Sequence, residues 1–182
     1  MTKMQMPTKK SPKAPQVFQT DLGWMALATC GNTICKLAFG HKTSHAAQAQ
    51  IDSDILGRGS ADAWIAELVE RLCDYASGRP VGFDDFEIDT TEMTDFGRRV
   101  LLACRKIPYG HTLTYSELAT QAGSSGAARA VGNHMAKNPI PLIVPCHRVL
   151  PAASGQADKE LGGYSAIGGV KMKRRLLQME AP

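Results

Sequence analysis

The chain has 182 residues, with 21 Lys and Arg against 17 Asp and Glu, a net charge of +4 at pH 7. That length builds one large domain or two small ones. No apolar run approaches the ~18 residues of a membrane span, and the N-terminus lacks the apolar core of a secretory signal. No membrane partner is expected, and the location expected is cytoplasmic, or nuclear in a eukaryote. The five cysteines, at positions 30, 35, 73, 104 and 146, are odd in number and form no compact disulfide framework, which fits a reducing compartment. Residues 93–182 carry 12 Lys and Arg against 5 Asp and Glu, a net of +7, whereas residues 1–92 carry 9 against 12, a net of −3. A split of that kind suggests that the C-terminal half meets a polyanion.

Residues 1–15 hold lysines and three prolines but no aromatic residue, the composition of a disordered basic tail. Val17–Thr20, Trp24–Cys30 and Thr33–Gly40 read as strands, the last two joined by the two-residue hairpin signal Gly31-Asn32. Ala46–Gln50 is read as helical. Ser60 or Asp62 can cap a longer helix with the stripe Trp64, Ile65, Leu68, Val69, Leu72 and Tyr75, ending before Gly78 and Pro80. The acidic stretch Phe83–Thr91 is expected to hold a last strand and a linker. Residues 16–92 are thus an α/β unit with no catalytic constellation.

The second half, residues 93–182, opens on a helix starting near Thr91 or Thr94, with Met93, Phe96, Gly97, Val100, Leu101 and Cys104 on one face. Thr114-Tyr115-Ser116-Glu117 has the form of a capping box, so Thr114 starts the next helix, which ends at Gly123. Ser124 or Ser125 caps a third helix, Gly126–Lys137, stopped by Asn138-Pro139. Two short helices about a Gly-containing turn make a helix-turn-helix. Its second helix presents mostly small side chains and one Arg, which suits close approach to a backbone or a minor groove. The competing reading is alanines packed on a neighbouring helix. Leu142-Ile143-Val144 reads as a short buried strand, leading into Pro145-Cys146-His147-Arg148-Val149. His147 can act as base, so that Cys146 reacts as a thiolate. Neighbours on a strand face opposite ways, so either the backbone turns at Cys146 or a water carries the proton.

The block from Asn138 to Val149, with the helix-turn-helix before it and Gly168-Gly169 and Leu176-Leu177-Gln178-Met179-Glu180 after it, resembles the O6-alkylguanine-DNA alkyltransferases. The resemblance runs from about Met93 to Glu180 and is weaker upstream. It implies an α/β N-terminal domain with an RNase H-like sheet and helix, and a mainly α C-terminal winged helix-turn-helix domain. The implied activity is direct-reversal DNA repair: O6-alkylguanine, with O4-alkylthymine as a second candidate, is flipped from double-stranded DNA bound through the minor groove. The alkyl group then passes irreversibly to Cys146, once per molecule, in a monomer without cofactor.

Under the resemblance the catalytic residues are Cys146 as acceptor, His147 acting through a bridging water, Glu180 orienting the imidazole, and Asn138 as hinge. Glu180 lies 33 residues beyond His147, so the last helix must fold back, turning at Gly168-Gly169 and anchored by Leu176-Leu177. Arg129 matches the arginine that replaces the flipped base, and Tyr115 the tyrosine that pushes the phosphate and hydrogen-bonds the guanine. The DNA contacts implied are Tyr115, Ser116, Ser124, Ala127, Ala128, Arg129, Ala130 and Gly132. The pocket implied is Tyr115, Met135, Val149, Tyr164 and Ser165. Some members carry a structural zinc, but Cys30 and Cys35 offer half a site. They are read as buried apolar cysteines, with no metal. Two departures stand out: the loop Pro151–Gly163 carries extra charges (Asp158, Lys159, Glu160), and Gly97 replaces a phosphate-binding hydroxyl. The alternatives are a non-enzymatic alkyltransferase-like damage-binding protein, which would lack the cysteine, and a cysteine hydrolase, which would need an oxyanion loop.

Overall fold

The computed structural model describes residues 15–51, 63–152 and 161–181. The expectations placed on the basic tail through residue 14, on the Ser60 and Asp62 caps and on residues 153–160 of the loop lie outside the described residues. The fold is mixed α/β. Strands β1 (Gln16–Thr20), β2 (Gly23–Cys30) and β3 (Thr33–His41) form an antiparallel meander in the order β1-β2-β3. Gly31 turns the hairpin at φ 62°, and Cys30 pairs with Thr33 across it. Helix α1 (Ser44–Gln48) is capped by the Thr43 side chain, which accepts from the amide of Ala46.

Helix α2 (Ala63–Ala76) lays Ile65, Leu68, Leu72, Tyr75 and Ala76 against the core. That spacing of three and four keeps one face apolar. Leu68 and Leu72 are fully buried, each contributing roughly 2 kcal/mol by loss of apolar surface. The segment Phe83–Thr91 is not the strand expected. It forms turns, and only Ile88 bridges in parallel to Ile34. Two backbone bonds hold that bridge, Ile34 N–H to Glu87 O and Asp89 N–H to Ile34 O, both at 2.8 Å.

Helix α3 (Asp95–Arg105) begins at Thr94, whose hydroxyl accepts from Gly97 N–H at 3.1 Å. A side chain at Gly97 would come within 2.8 Å of the His134 ring, so glycine is dictated by this packing. After the short strand β4 (Leu113–Thr114) comes α4 (Tyr115–Gln121), started by the expected capping box of Thr114 and Glu117. Helix α5 (Ala128–Ala136) is shorter than the sequence suggested. Ala127 sits at its cap with no side-chain bond, in place of Ser124 or Ser125.

The expected strand over Leu142–Val144 is also absent. Pro141 and Pro145 remove two ladder donors, Leu142 adopts φ 71°, and Cys146–Arg148 wind into one 3-10 turn. The backbone therefore turns at Cys146. Strand β5 (Val149–Leu150) follows and pairs in parallel with β4. Helix α6 (Gly169–Glu180) starts from Gly168 at φ 86° and buries Lys173, Leu176 and Glu180. The main apolar cluster runs from Leu27, Leu68 and Tyr75 through Val100, Leu118 and Ile143 to Leu176, so both halves share it. Among the described residues no helix is long and apolar enough to cross a membrane.

Candidate active site

The 3-10 turn gathers the reactive groups. Three consecutive side chains on a strand would alternate, but the turn lets Cys146, His147 and Arg148 all face inward, each at most 7% exposed. Asn138, at the end of α5, locks the segment from two sides. Its amide nitrogen donates to Val144 O at 2.8 Å and to Cys146 Sγ at 3.2 Å, while its oxygen accepts from Ile140 N–H at 3.0 Å. A donor aimed at sulfur favours the thiolate. Burial pushes the Cys146 thiol up, and the Asn138 amide and the charge of Lys173 pull it part of the way back. Among the described residues the buried Tyr164 hydroxyl has no partner at ordinary hydrogen-bond distance, and its longer contact with the Cys146 sulfur also pulls the thiol down.

His147 is fully buried, and burial holds it below the usual imidazole value, so it is neutral at pH 7. Its Nε2 lies 2.9 Å from Glu180 Oε1, and Nδ1 has no partner among the described residues. A neutral imidazole with Nε2 committed to a carboxylate presents Nδ1 as an acceptor for a proton. Glu180 is reached because α6 folds back: Lys173, Leu176 and Glu180 fall at i, i+3 and i+7, one face of the helix.

The Glu180 carboxylate is densely held. Arg148 donates in two-pronged fashion, Nε to Oε2 at 2.8 Å and Nη2 to Oε1 at 2.9 Å. Tyr75 donates its hydroxyl to Oε1, and Gly110 N–H lies 3.4 Å from Oε2. Gly110, at φ 74°, has its α-carbon so close that an added Cβ would sit 3.0 Å from Glu180 O. Burial alone would raise the Glu180 carboxyl, but the bonds from His147 and Arg148 overcome it and hold the group down at about 2. Arg148 also donates to Ile107 O at 2.6 Å.

A cleft of about 350 Å³ opens onto the sulfur, lined by Tyr115, Gly132, Met135, Ala136, Cys146, Gly163, Tyr164 and Ser165. Four of the five expected pocket residues are there. Val149 is not: it is fully buried in β5, and its carbonyl accepts from Lys173 Nζ at 2.7 Å. Tyr115 opens α4 with its ring 3.8 Å from where a Gly132 Cβ would stand, and burial raises its phenol, keeping it a donor at neutral pH. Arg129 and Ala130 are exposed along α5, Ser116 is exposed on α4, and Ser124, Ala127 and Ala128 are half-buried around the turn.

Three residues escaped the sequence reading. Tyr75 was placed only in the core stripe, Arg148 only in the motif, and Lys173 nowhere. A charge on the Leu176 face of α6 was the available signal for Lys173. Burial lowers its ammonium to about 8.

Cys30 and Cys35 also differ from expectation. Both are half-buried, and their sulfurs are joined as a disulfide. Asp89, brought up by the Ile34–Ile88 bridge, puts a carboxylate within 4.8 Å of them. Joined to each other the two sulfurs cannot act as thiolates, whereas reduced they and Asp89 would offer three of a zinc ion's four ligands.

A cysteine lining a cleft, with a paired histidine and buried carboxylate beside it and two short helices flanking it, is an arrangement that can supply a nucleophile. Comparison with known proteins agrees. Residues 95–182 match the family described as 6-O-methylguanine DNA methyltransferase, DNA binding domain. The methylated-DNA–protein-cysteine methyltransferase of Saccharolobus islandicus is 38% identical over 124 residues, 68% of this chain and 74% of that protein. That of Mycobacterium tuberculosis is 48% identical over 112 residues, 62% of each chain, and that of Methanothermobacter thermautotrophicus 42% over 116 residues. The chain spans 61% of the length of the latter. A crystal structure of Mycobacterium tuberculosis OGT in complex with DNA superposes with a TM-score of 0.72 at 34% identity, covering 94% of each chain. The chain belongs to the methylated-DNA–protein-cysteine methyltransferase family.

Proposed function

We propose that this protein repairs alkylated DNA by moving an alkyl group from guanine O6 to Cys146, once per molecule. The observation that carries the reading is the Cys146 sulfur at the base of the cleft, with Asn138 donating to it and His147 and Glu180 paired beside it. A purely binding role leaves that arrangement without a purpose, and a hydrolytic one would need an oxyanion-stabilising loop as well.

The site is built from two units, residues 16–92 with an RNase H-like sheet and residues 93–182 with a winged helix-turn-helix, the wing drawn from β4 and β5. Double-stranded DNA is the partner, bound by a monomer in the cytoplasm. The slim α5, with Ala127, Ala128, Ala130 and Gly132, enters the minor groove, and Ser116 and Ser124 meet the backbone. Arg129, exposed on α5, fills the stack where the nucleotide leaves; extruding that nucleotide costs a few kcal/mol.

In the cleft the alkylated guanine lies against Tyr115 and Met135, with Tyr164 and Ser165 on the far wall. The Cys146 S–H bond breaks and its proton passes to Nδ1 of His147, directly or through one water. The thiolate then forms a bond to the alkyl carbon as the carbon–O6 bond breaks. The released electron pair stays on guanine, hydrogen-bonded by the Tyr115 hydroxyl, and the guanine anion takes its proton from solvent water, directly or by way of that hydroxyl. Glu180 balances the imidazolium. A thioether has no leaving path, so the step ends the life of the molecule as a reagent.

The test is a stoichiometric titration of a duplex carrying one O6-methylguanine. Repair should stop at one lesion per protein molecule, whatever the incubation time. Continued turnover, or no repair with intact Cys146, would remove the proposal.

A further inference from the structure

All the residues that the family match covers lie in the second half of the chain, yet one side chain of the first half enters the reactive cluster. Tyr75 sits in the last turn of α2 and is fully buried. Its ring is fixed edge-on by Phe83 and Tyr109, each with a centroid separation of 6.2 Å. Its hydroxyl donates to Glu180 Oε1 and lies 3.2 Å from His147 Nε2, across 105 and 72 residues of sequence respectively.

We propose that Tyr75 is a positioning residue of the transfer site: its hydroxyl clamps the Glu180 carboxylate and, by turning a lone pair to His147, keeps the imidazole proton on Nε2 so that Nδ1 is the base. The inference rests on the reading of Cys146 as the alkyl acceptor.

Donor and acceptor capacity fixes the arrangement of these three groups. A phenol has one hydrogen to give. Burial, and then the Glu180 charge, raise the Tyr75 phenol well above its usual value, so the hydrogen is present at every working pH. With that hydrogen committed to Glu180, the oxygen can only accept from His147. Nε2 thus faces two acceptors, Glu180 Oε1 and Tyr75 Oη, and a proton there is doubly favoured. Were the hydroxyl missing, Oε1 would lose one of its three donors. A water or a rotated carboxylate could then stabilise the other tautomer, with the proton on Nδ1, where it blocks transfer from Cys146. Arg148, Lys173 and Tyr109 surround the cluster, but none can take this place: Arg148 and Lys173 only donate, and Tyr109 commits its hydroxyl to Gly78 O and Met179 O.

A second consequence concerns the architecture. Tyr109 joins the end of α2 to the end of α6, and Tyr75 joins α2 to the catalytic carboxylate. The first half therefore contributes a hydroxyl to the chemistry as well as area to the core.

The experiment is Tyr75→Phe in the full chain, which keeps the ring and its two edge contacts. Nitrogen-15 NMR of histidine-labelled protein reads the tautomer, and peptide mass spectrometry reads the rate at which iodoacetamide modifies Cys146, with Cys73 as internal control. The wild type should show the Nε2–H tautomer. In the variant the Nδ1–H form should appear, Cys146 modification should slow about 10- to 100-fold as for loss of an orienting partner, and affinity for undamaged duplex should be unchanged. Cys146 reactivity within twofold of wild type with an unchanged tautomer overturns the proposal. So does a proton on Nδ1 in the wild-type protein, a result that stands even if the variant fails to fold. Neither readout uses alkylated DNA, so a wild-type protein that failed to repair O6-methylguanine would count against the proposed function and leave this test intact.

Discussion

Replacing Glu180 by Gln should cost roughly 3–5 kcal/mol of stability. The carboxylate is 3% exposed and accepts from Arg148 twice, from His147 and from Tyr75. Its folded value of about 2 against an ordinary 4.5 corresponds to about 3 kcal/mol of stability at neutral pH, at 1.36 kcal/mol per unit. Glutamine keeps the shape but removes the charge, leaving the Arg148 guanidinium buried and unpaired, a loss of roughly 3–5 kcal/mol. The two routes agree. Because the folded value is depressed, the contribution is fully present above pH 4.5 and is lost as pH falls towards 2. Urea unfolding of wild type and Glu180→Gln at pH 7 and at steps down to pH 3 measures both effects. The expected result is a gap of about 3 kcal/mol or more at pH 7 that narrows with acid. A gap below about 1 kcal/mol, or one that does not change with pH, would refute the reasoning.

Other outcomes follow from the same geometry. Cys146→Ser should abolish transfer while duplex affinity, read by fluorescence anisotropy, stays within a few-fold; transfer surviving near the wild-type rate would move the acceptor to Cys73 or Cys104. Arg129→Ala should slow repair of duplex DNA at least tenfold more than reaction with the free modified base, since Arg129 is exposed on α5 and lines no part of the cleft; equal losses would place it in the pocket. Lys173 is held at about 8 against an ordinary 10.5, so the unfolded chain binds the extra proton between those values and stability gains from this group as pH rises from 8 to 10.5. Lys173→Met should remove that gain, up to about 3 kcal/mol. Parallel curves for the two proteins over the window would contradict it.

The sequence showed most clearly those features whose signal is local. Gly31-Asn32 set the β2–β3 hairpin because a two-residue turn needs a left-handed residue there, and Thr114 with Glu117 set the start of α4 because both halves of the cap lie three residues apart. The apolar run Leu142–Val144 misled for an equally local reason. Burial was read correctly, but hydropathy does not register that Pro141 and Pro145 deny the ladder its donors, nor that Leu142 takes φ 71°. The same 3-10 turn withdrew Val149 from the pocket and brought Arg148 inward. Tyr75 was hidden differently. A tyrosine on an apolar stripe looks like packing until the fold brings Glu180 to it from 105 residues away. Cys30 and Cys35 looked like two separate apolar cysteines, because the hairpin diagonal that joins them and the bridge that adds Asp89 exist only in three dimensions.

The central claim is that Cys146 accepts the alkyl group. Incubating the intact protein with duplex DNA bearing O6-methylguanine, followed by digestion and tandem mass spectrometry, tests it directly. The account predicts one added methyl group per molecule, located on Cys146, with unmodified guanine restored in the DNA. A methyl group on another residue, or repaired DNA with Cys146 unmodified, would contradict it.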